Sequence, residues 1–120
     1  MKIDVLGTNY EILFKDYSED PLFGENSYDG YCDSVDKEIV ICNMKTFPTW
    51  ENYTDEYCKR YEKGILRHEL IHAFLNESGL QDNAITPIIS WAKNEEMIDW
   101  IAIQFPKIVK AMKEAGCLES

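Results

Sequence analysis

The chain carries its only two histidines within one five-residue stretch, His68-Glu69-Leu70-Ile71-His72. In a helix, residues four apart lie about 40° apart in projection and one turn apart along the axis, so both imidazoles can reach one metal ion. The neighbouring residues are apolar on nearly every side of the predicted helix: Ile65, Leu66, Leu70, Ile71, Ala73, Phe74 and Leu75. Such a helix is expected to be buried, and buried imidazoles need a partner. The pattern predicts a metal site; the alternative is that both histidines are structural.

The predicted elements favour an α+β fold, because strands come first in the chain and helices follow. Residues 2–6 and 10–14 have strand-like content, and residues 30–42 predict a hairpin that ends in an apolar run. We expect a single domain over residues 1–120 with a small antiparallel or mixed sheet of three or four strands.

Two helical regions make up the second half of the prediction. The first runs from about residue 54 to 78 and ends at Gly79, a residue that commonly terminates helices. The second begins at about Asn94, and Pro106 is expected to divide it into two pieces. The first helix bears the histidine pair, and the second bears adjacent glutamates.

A zinc site that keeps one position open for water needs a third protein ligand. Since no third histidine exists, that ligand must be a carboxylate or a cysteine. Helical projection places Glu95 about 70° from the centre of the apolar face and Glu96 about 170° away, which favours Glu95. Asp99, one turn further on, can hydrogen-bond the nitrogen of a ligand histidine that does not face the metal. Taken alone, both glutamates also fit an ordinary solvated first turn.

The order H-E-x-x-H followed by N-E-x-x-x-D resembles the gluzincin clan of zinc peptidases. The resemblance implies that Glu95 is the third zinc ligand and that Asp99 orients a ligand histidine. The short chain and the run over residues 95–102 are similar to the ImmA/IrrE metallopeptidase family, which usually has Ala and Phe where this chain has Ile98 and Ile101. The motifs of the resemblance cover residues 65–102.

The resemblance implies a zincin-like fold that hydrolyses peptide bonds with one zinc ion per chain. His68, His72 and Glu95 would bind the ion, and Glu69 would act as the base toward the zinc-bound water. The substrate is expected to be a peptide or protein, with a transcription regulator among the candidates. Two alternatives remain open: a latent or non-catalytic zinc module that binds proteins, and a zinc amidohydrolase acting on a non-peptide substrate.

Zincins lay an extended substrate along an exposed edge strand above the zinc. The resemblance assigns that role to Ile39, Val40, Ile41 and Cys42. The alternative is an ordinary core strand, because such an apolar run is also typical of a buried one.

Charge and cysteine content limit the partners and the compartment. Lys and Arg total 12 against 22 Asp and Glu, a net charge of −10, which argues against binding nucleic acid or an anionic membrane surface. The sequence shows no secretion signal and no membrane-length apolar run, so we expect a cytoplasmic protein. The four cysteines are accordingly expected to be reduced thiols: Cys32, Cys42, Cys58 and Cys117.

Overall fold

A four-stranded mixed sheet and three helices form an α+β fold in the computed structural model, which describes residues 1–81 and 90–119. The strands are β1 (Lys2–Val5), β2 (Thr8–Lys15), β3 (Gly30–Asp33) and β4 (Glu38–Cys42). Their order in the sheet is β1-β2-β4-β3. The β1–β2 and β3–β4 pairs are antiparallel hairpins, whereas β2 and β4 run parallel.

The apolar run of β4 lies in the interior of the sheet and not at its edge. β2 pairs with one side of β4 and β3 with the other. Ile39, Val40, Ile41 and Cys42 are at most 1% exposed. The prediction that these four residues form a substrate-binding edge strand is therefore wrong. A strand with no polar alternation is buried on both faces, as a central strand requires.

The histidine-bearing helix, α2, runs from Asp55 to Leu75, close to the predicted bounds. The Thr54 side chain caps its first turn by accepting a hydrogen bond from the Tyr57 N–H at 3.1 Å. A π-helical turn, Asn76–Leu80, follows. Gly79 has φ 84°, a left-handed conformation that glycine adopts without steric cost, and the helical path ends there.

The glutamate-bearing helix, α3, runs without a break from Glu95 to Glu114. Asn94 caps it by accepting a hydrogen bond from the Met97 N–H at 2.9 Å. The expected division at Pro106 is wrong, because Pro106 lies inside the continuous helix. Proline removes one backbone donor, and the bonds made by the neighbouring residues continue the helix past it.

The core lies where α2 packs against the sheet. A short helix, α1 (Pro21–Glu25), adds the fully buried Phe23. The cluster consists of Val5, Tyr10, Ile12, Phe23, Ile39, Val40, Ile41, Cys42, Met44, Cys58, Ile65 and Ala73. This packing fixes the position and rotation of α2 against the sheet.

Two glutamates, one within α2 and one just beyond its C-terminal end, hold the helix against the rest of the fold. Glu62 is buried and accepts a hydrogen bond from the Met44 N–H at 3.0 Å. Beyond the helix, Glu77 accepts from Tyr10 Oη and from Lys37 Nζ, both at 2.7 Å. These contacts lower the pKa of Glu77, with the Lys37 hydrogen bond the largest cause. The interior of α2 and the turn that follows it are therefore both held against the β-rich half.

The helices of residues 1–81 and 90–119 include none with the length and apolar content that crossing a bilayer requires.

Candidate metal centre

Three side chains from α2 and α3 bring their ligand atoms together at one point. The Nε2 atoms of His68 and His72 lie 3.1 Å apart. The Glu95 carboxylate bridges them, with Oε2 3.0 Å from His68 Nε2 and Oε1 3.0 Å from His72 Nε2. The first residue of α3 thus faces the C-terminal half of α2, where the two helices pack together.

The other nitrogen of each imidazole is held by an acceptor. His72 Nδ1 lies 2.5 Å from the carbonyl oxygen of Ala92, and His68 Nδ1 lies 2.7 Å from Asp99 Oδ1. Because a carbonyl oxygen can only accept, His72 Nδ1 carries a hydrogen and donates it. A carboxylate imposes the same tautomer on His68. In the neutral rings, both Nε2 atoms therefore present lone pairs.

This donor set fits a divalent metal ion such as zinc. Two nitrogen lone pairs and a carboxylate repel one another at 3.0–3.1 Å unless a cation lies between them or a histidine is protonated. A tetrahedral zinc ion with bonds of about 2.0–2.1 Å holds its ligand atoms about 3.3 Å apart, close to the separations found here. Two histidines and one glutamate also form a set that leaves one position open.

Glu69 lies beside the converging atoms but does not complete the set. It is 7% exposed, and its Oε1 is 3.8 Å from His68 Nε2. Burial raises the pKa of Glu69 to about 7; His68 opposes the rise, and the Glu95 charge adds to it. Glu69 can therefore reach a small molecule next to the centre while the Glu95 carboxylate occupies the ligand position.

The structure separates the two adjacent glutamates of α3. Both are exposed, but Glu95 faces the imidazoles, whereas Glu96 lines a different surface depression with Asn94, Met97 and Trp100. Asp99, one turn on, returns to the same face as Glu95 and contacts His68. This division follows the helical projection made from the sequence.

A cleft of about 710 Å³ opens above the centre, between β3 and the start of α3. Its walls include all of β3, together with His68, Glu69, His72 and Glu95. Within the described part of the chain, β3 pairs only with β4, so its other edge is free to pair. The sequence analysis predicted this strand as the first half of the hairpin over residues 30–42, but assigned substrate binding to the second half.

Cys32 is the one thiol that lines this cleft. Burial, with a smaller contribution from the nearby Glu69 charge, raises the pKa of Cys32 to about 12. The side chain is therefore a neutral thiol at physiological pH and a weak nucleophile.

The structure thus brings together five residues singled out from the sequence: His68, Glu69, His72, Glu95 and Asp99. It adds one partner that the sequence does not reveal, the Ala92 carbonyl. Comparisons with protein-family models, with curated proteins and with solved structures find no match to this chain.

Proposed function

We propose that this chain is a zinc-dependent peptidase with a zincin-like fold. The observation that carries the proposal is the convergence of His68 Nε2, His72 Nε2 and the Glu95 carboxylate beside a buried Glu69. Three ligands with a glutamate next to them suit hydrolysis better than a purely structural role, because structural zinc sites usually have four protein ligands.

If a zinc ion is bound, His68, His72 and Glu95 would hold it, and it would supply Lewis acidity toward a water molecule and a carbonyl group. Glu69 would take a proton from the attacking water as the water oxygen bonds to the carbonyl carbon of the peptide. Glu69 then gives the proton to the amide nitrogen, and the C–N bond breaks to release the amine. Asp99 and the Ala92 carbonyl hold the imidazoles in the orientation that this arrangement requires.

The free edge of β3 is the proposed binding site for the peptide backbone. An extended segment pairing with Gly30–Asp33 would add a fifth strand to the sheet and lie across the cleft that contains Glu69. Main-chain hydrogen bonds of this kind hold a peptide independently of its sequence, while side chains on alternate residues meet the walls of the cleft. The substrate class is therefore an extended peptide or an unfolded protein segment.

Replacing Glu69 with Gln tests the mechanism. Glutamine keeps the size of the side chain but cannot accept the proton, so we expect zinc content to stay unchanged and kcat to fall by about 10²–10⁴-fold. The measurement is cleavage of a peptide library, read by mass spectrometry, beside elemental analysis of the same samples. Glu56→Gln, an exposed change in the first turn of α2, is the matched control. Full activity in Glu69→Gln would exclude this mechanism.

A further inference from the structure

A second cavity, of about 440 Å³, adjoins the metal centre on the side opposite the Ala92 turn, between α2 and α3. Its walls include His68, Glu69 and Asp99 from the centre itself. Asp29, at the start of the β3 hairpin, borders both this cavity and the main cleft. A ligand lying in the cleft can therefore extend a side chain or a chain end into this cavity.

Arg60 and Arg67, the only arginines of the chain, both line this cavity. They are seven residues apart on α2 and so lie on one face of the helix, two turns apart. In the described residues, neither arginine has a carboxylate within ion-pair distance, although the chain has a net charge of −10. Two guanidinium groups are thus available to a ligand beside the centre.

Three carboxylates also line the cavity. Asp29 Oδ2 accepts a hydrogen bond from Tyr61 Oη at 2.8 Å, Asp99 Oδ1 is 2.7 Å from His68 Nδ1, and the buried Glu69 has its Oε1 3.8 Å from His68 Nε2. Among the described residues, none of the three lies within ion-pair distance of either arginine. Arginine presents a planar fork of donors that matches a carboxylate with two parallel hydrogen bonds.

Gly64, midway between the two arginines, forms the floor of the cavity. A glycine within a helix costs about 0.5–1 kcal/mol relative to alanine. Packing does not require it here, because a Cβ at residue 64 would meet nothing closer than the Arg67 guanidinium at 3.9 Å. The missing side chain instead leaves open space directly under that guanidinium.

We infer that Arg60 and Arg67 form a subsite for a carboxylate of the substrate next to the bond that is cleaved. The ligand chemistry is a peptide carboxylate, either an Asp or Glu side chain or a free chain terminus. This inference rests on the proposed peptidase function and specifies which peptides the enzyme prefers.

The test compares zinc-loaded wild type with Arg60→Gln/Arg67→Gln on pairs of peptides that differ only by Glu or Gln, each with a free or an amidated C-terminus. We expect wild type to cleave the carboxylate-bearing peptides preferentially. In the double variant, kcat/KM for these peptides should fall about tenfold or more, whereas kcat/KM for the neutral peptides should change little. The Glu/Gln pairs identify a side-chain carboxylate, and the acid/amide pairs identify a terminal one. Lys63→Gln removes one positive charge from α2 outside the cavity and should change nothing.

Gly64→Leu provides an independent variant, because the leucine side chain fills the floor of the cavity and leaves both arginines in place. We expect it to lower kcat/KM for the carboxylate-bearing peptides. Equal cleavage of all peptide pairs by wild type, or equal behaviour of the double variant and Lys63→Gln, would overturn the subsite and leave the peptidase intact. If wild type cleaves no peptide, the proposed function fails. Calorimetric binding of the same pairs to wild type and the double variant then decides the subsite, and equal affinities would overturn it.

Discussion

Both nitrogens of each imidazole in the candidate metal centre have a partner. The Nδ1 atoms contact Asp99 and the Ala92 carbonyl, while the Nε2 atoms face Glu95. The Nδ1 contacts select the tautomer and the ring orientation before any ion arrives, so little rearrangement accompanies binding. Because the Ala92 contact comes from the backbone and survives most substitutions, Asp99 is the contact that mutation can remove.

Asp99→Ala is expected to weaken zinc binding by about 10–100-fold, because His68 loses the acceptor that fixes its ring. Asp99→Asn keeps an oxygen acceptor and should restore much of the affinity, as a positioning role requires. Competition with a chromophoric chelator measures the affinities, and Glu96→Ala on the same helix is the control. An unchanged zinc affinity in Asp99→Ala would show that His68 is held by other contacts.

At the scale of elements, the close approach of β3 to α2 sets the position of the cleft. A Cβ at Gly30 would lie 2.4 Å from Ile65 Cγ2 and 3.1 Å from the Val40 carbonyl oxygen. Only a residue without a side chain allows the edge strand to lie this close to the helix that carries the histidines. Gly30 therefore determines how closely β3 approaches α2.

Gly30→Ala should lower the free energy of unfolding by about 1–3 kcal/mol, since the added methyl group forces the strand and the helix apart. Gly64→Ala should have the opposite effect, raising it by about 0.5–1 kcal/mol, because space is free there and alanine favours the helix. Denaturant unfolding of both variants beside wild type measures the difference. A Gly30→Ala protein as stable as wild type would contradict the packing of β3 on α2.

Local periodicity accounts for what could be predicted from the sequence. The α+β class, the hairpin that ends in β4, the bounds of α2 and the orientation of Glu95 rather than Glu96 depend on neighbours a few residues away. The position of β4 within the sheet depends on β2, more than twenty residues earlier in the chain, and an apolar run looks the same at an edge or in the interior. The Ala92 carbonyl could not be foreseen, because a backbone oxygen leaves no mark in the residue type.

At the scale of the whole molecule, the candidate centre joins two parts of the chain that otherwise share few buried residues. The core lies between the sheet and α2, whereas α3 buries only Ile98 and Ala102. Glu95 and Asp99 bind α3 to the histidines of α2 through groups that are largely exposed. Exposed ion pairs contribute little on their own, so an ion held by all three ligands would supply much of the stability of this interface.

The four thiols, which are all free as expected, report on the fold as a whole. Cys42 and Cys58 are buried, Cys32 is half-buried and Cys117 is exposed. Burial raises the pKa of Cys42 to about 11 and that of Cys32 to about 12, which further slows their reaction.

We therefore expect a thiol reagent such as Ellman's reagent to label Cys117 of the native protein rapidly, the half-buried Cys32 slowly, and the buried Cys42 and Cys58 only on unfolding. Cys117→Ser should abolish the rapid phase and leave the slow phase intact. Rapid labelling of two or more thiols in the folded Cys117→Ser variant would contradict the burial of the core.

The most direct test of the account is the zinc content per chain of wild type, Glu95→Ala and Glu96→Ala, purified in parallel and measured by elemental analysis. The account predicts close to one zinc ion per chain in wild type and Glu96→Ala, and a large loss in Glu95→Ala, because Glu95 alone faces both imidazoles. A folded wild-type protein without zinc under metal-replete conditions, or full zinc content in Glu95→Ala, would contradict it.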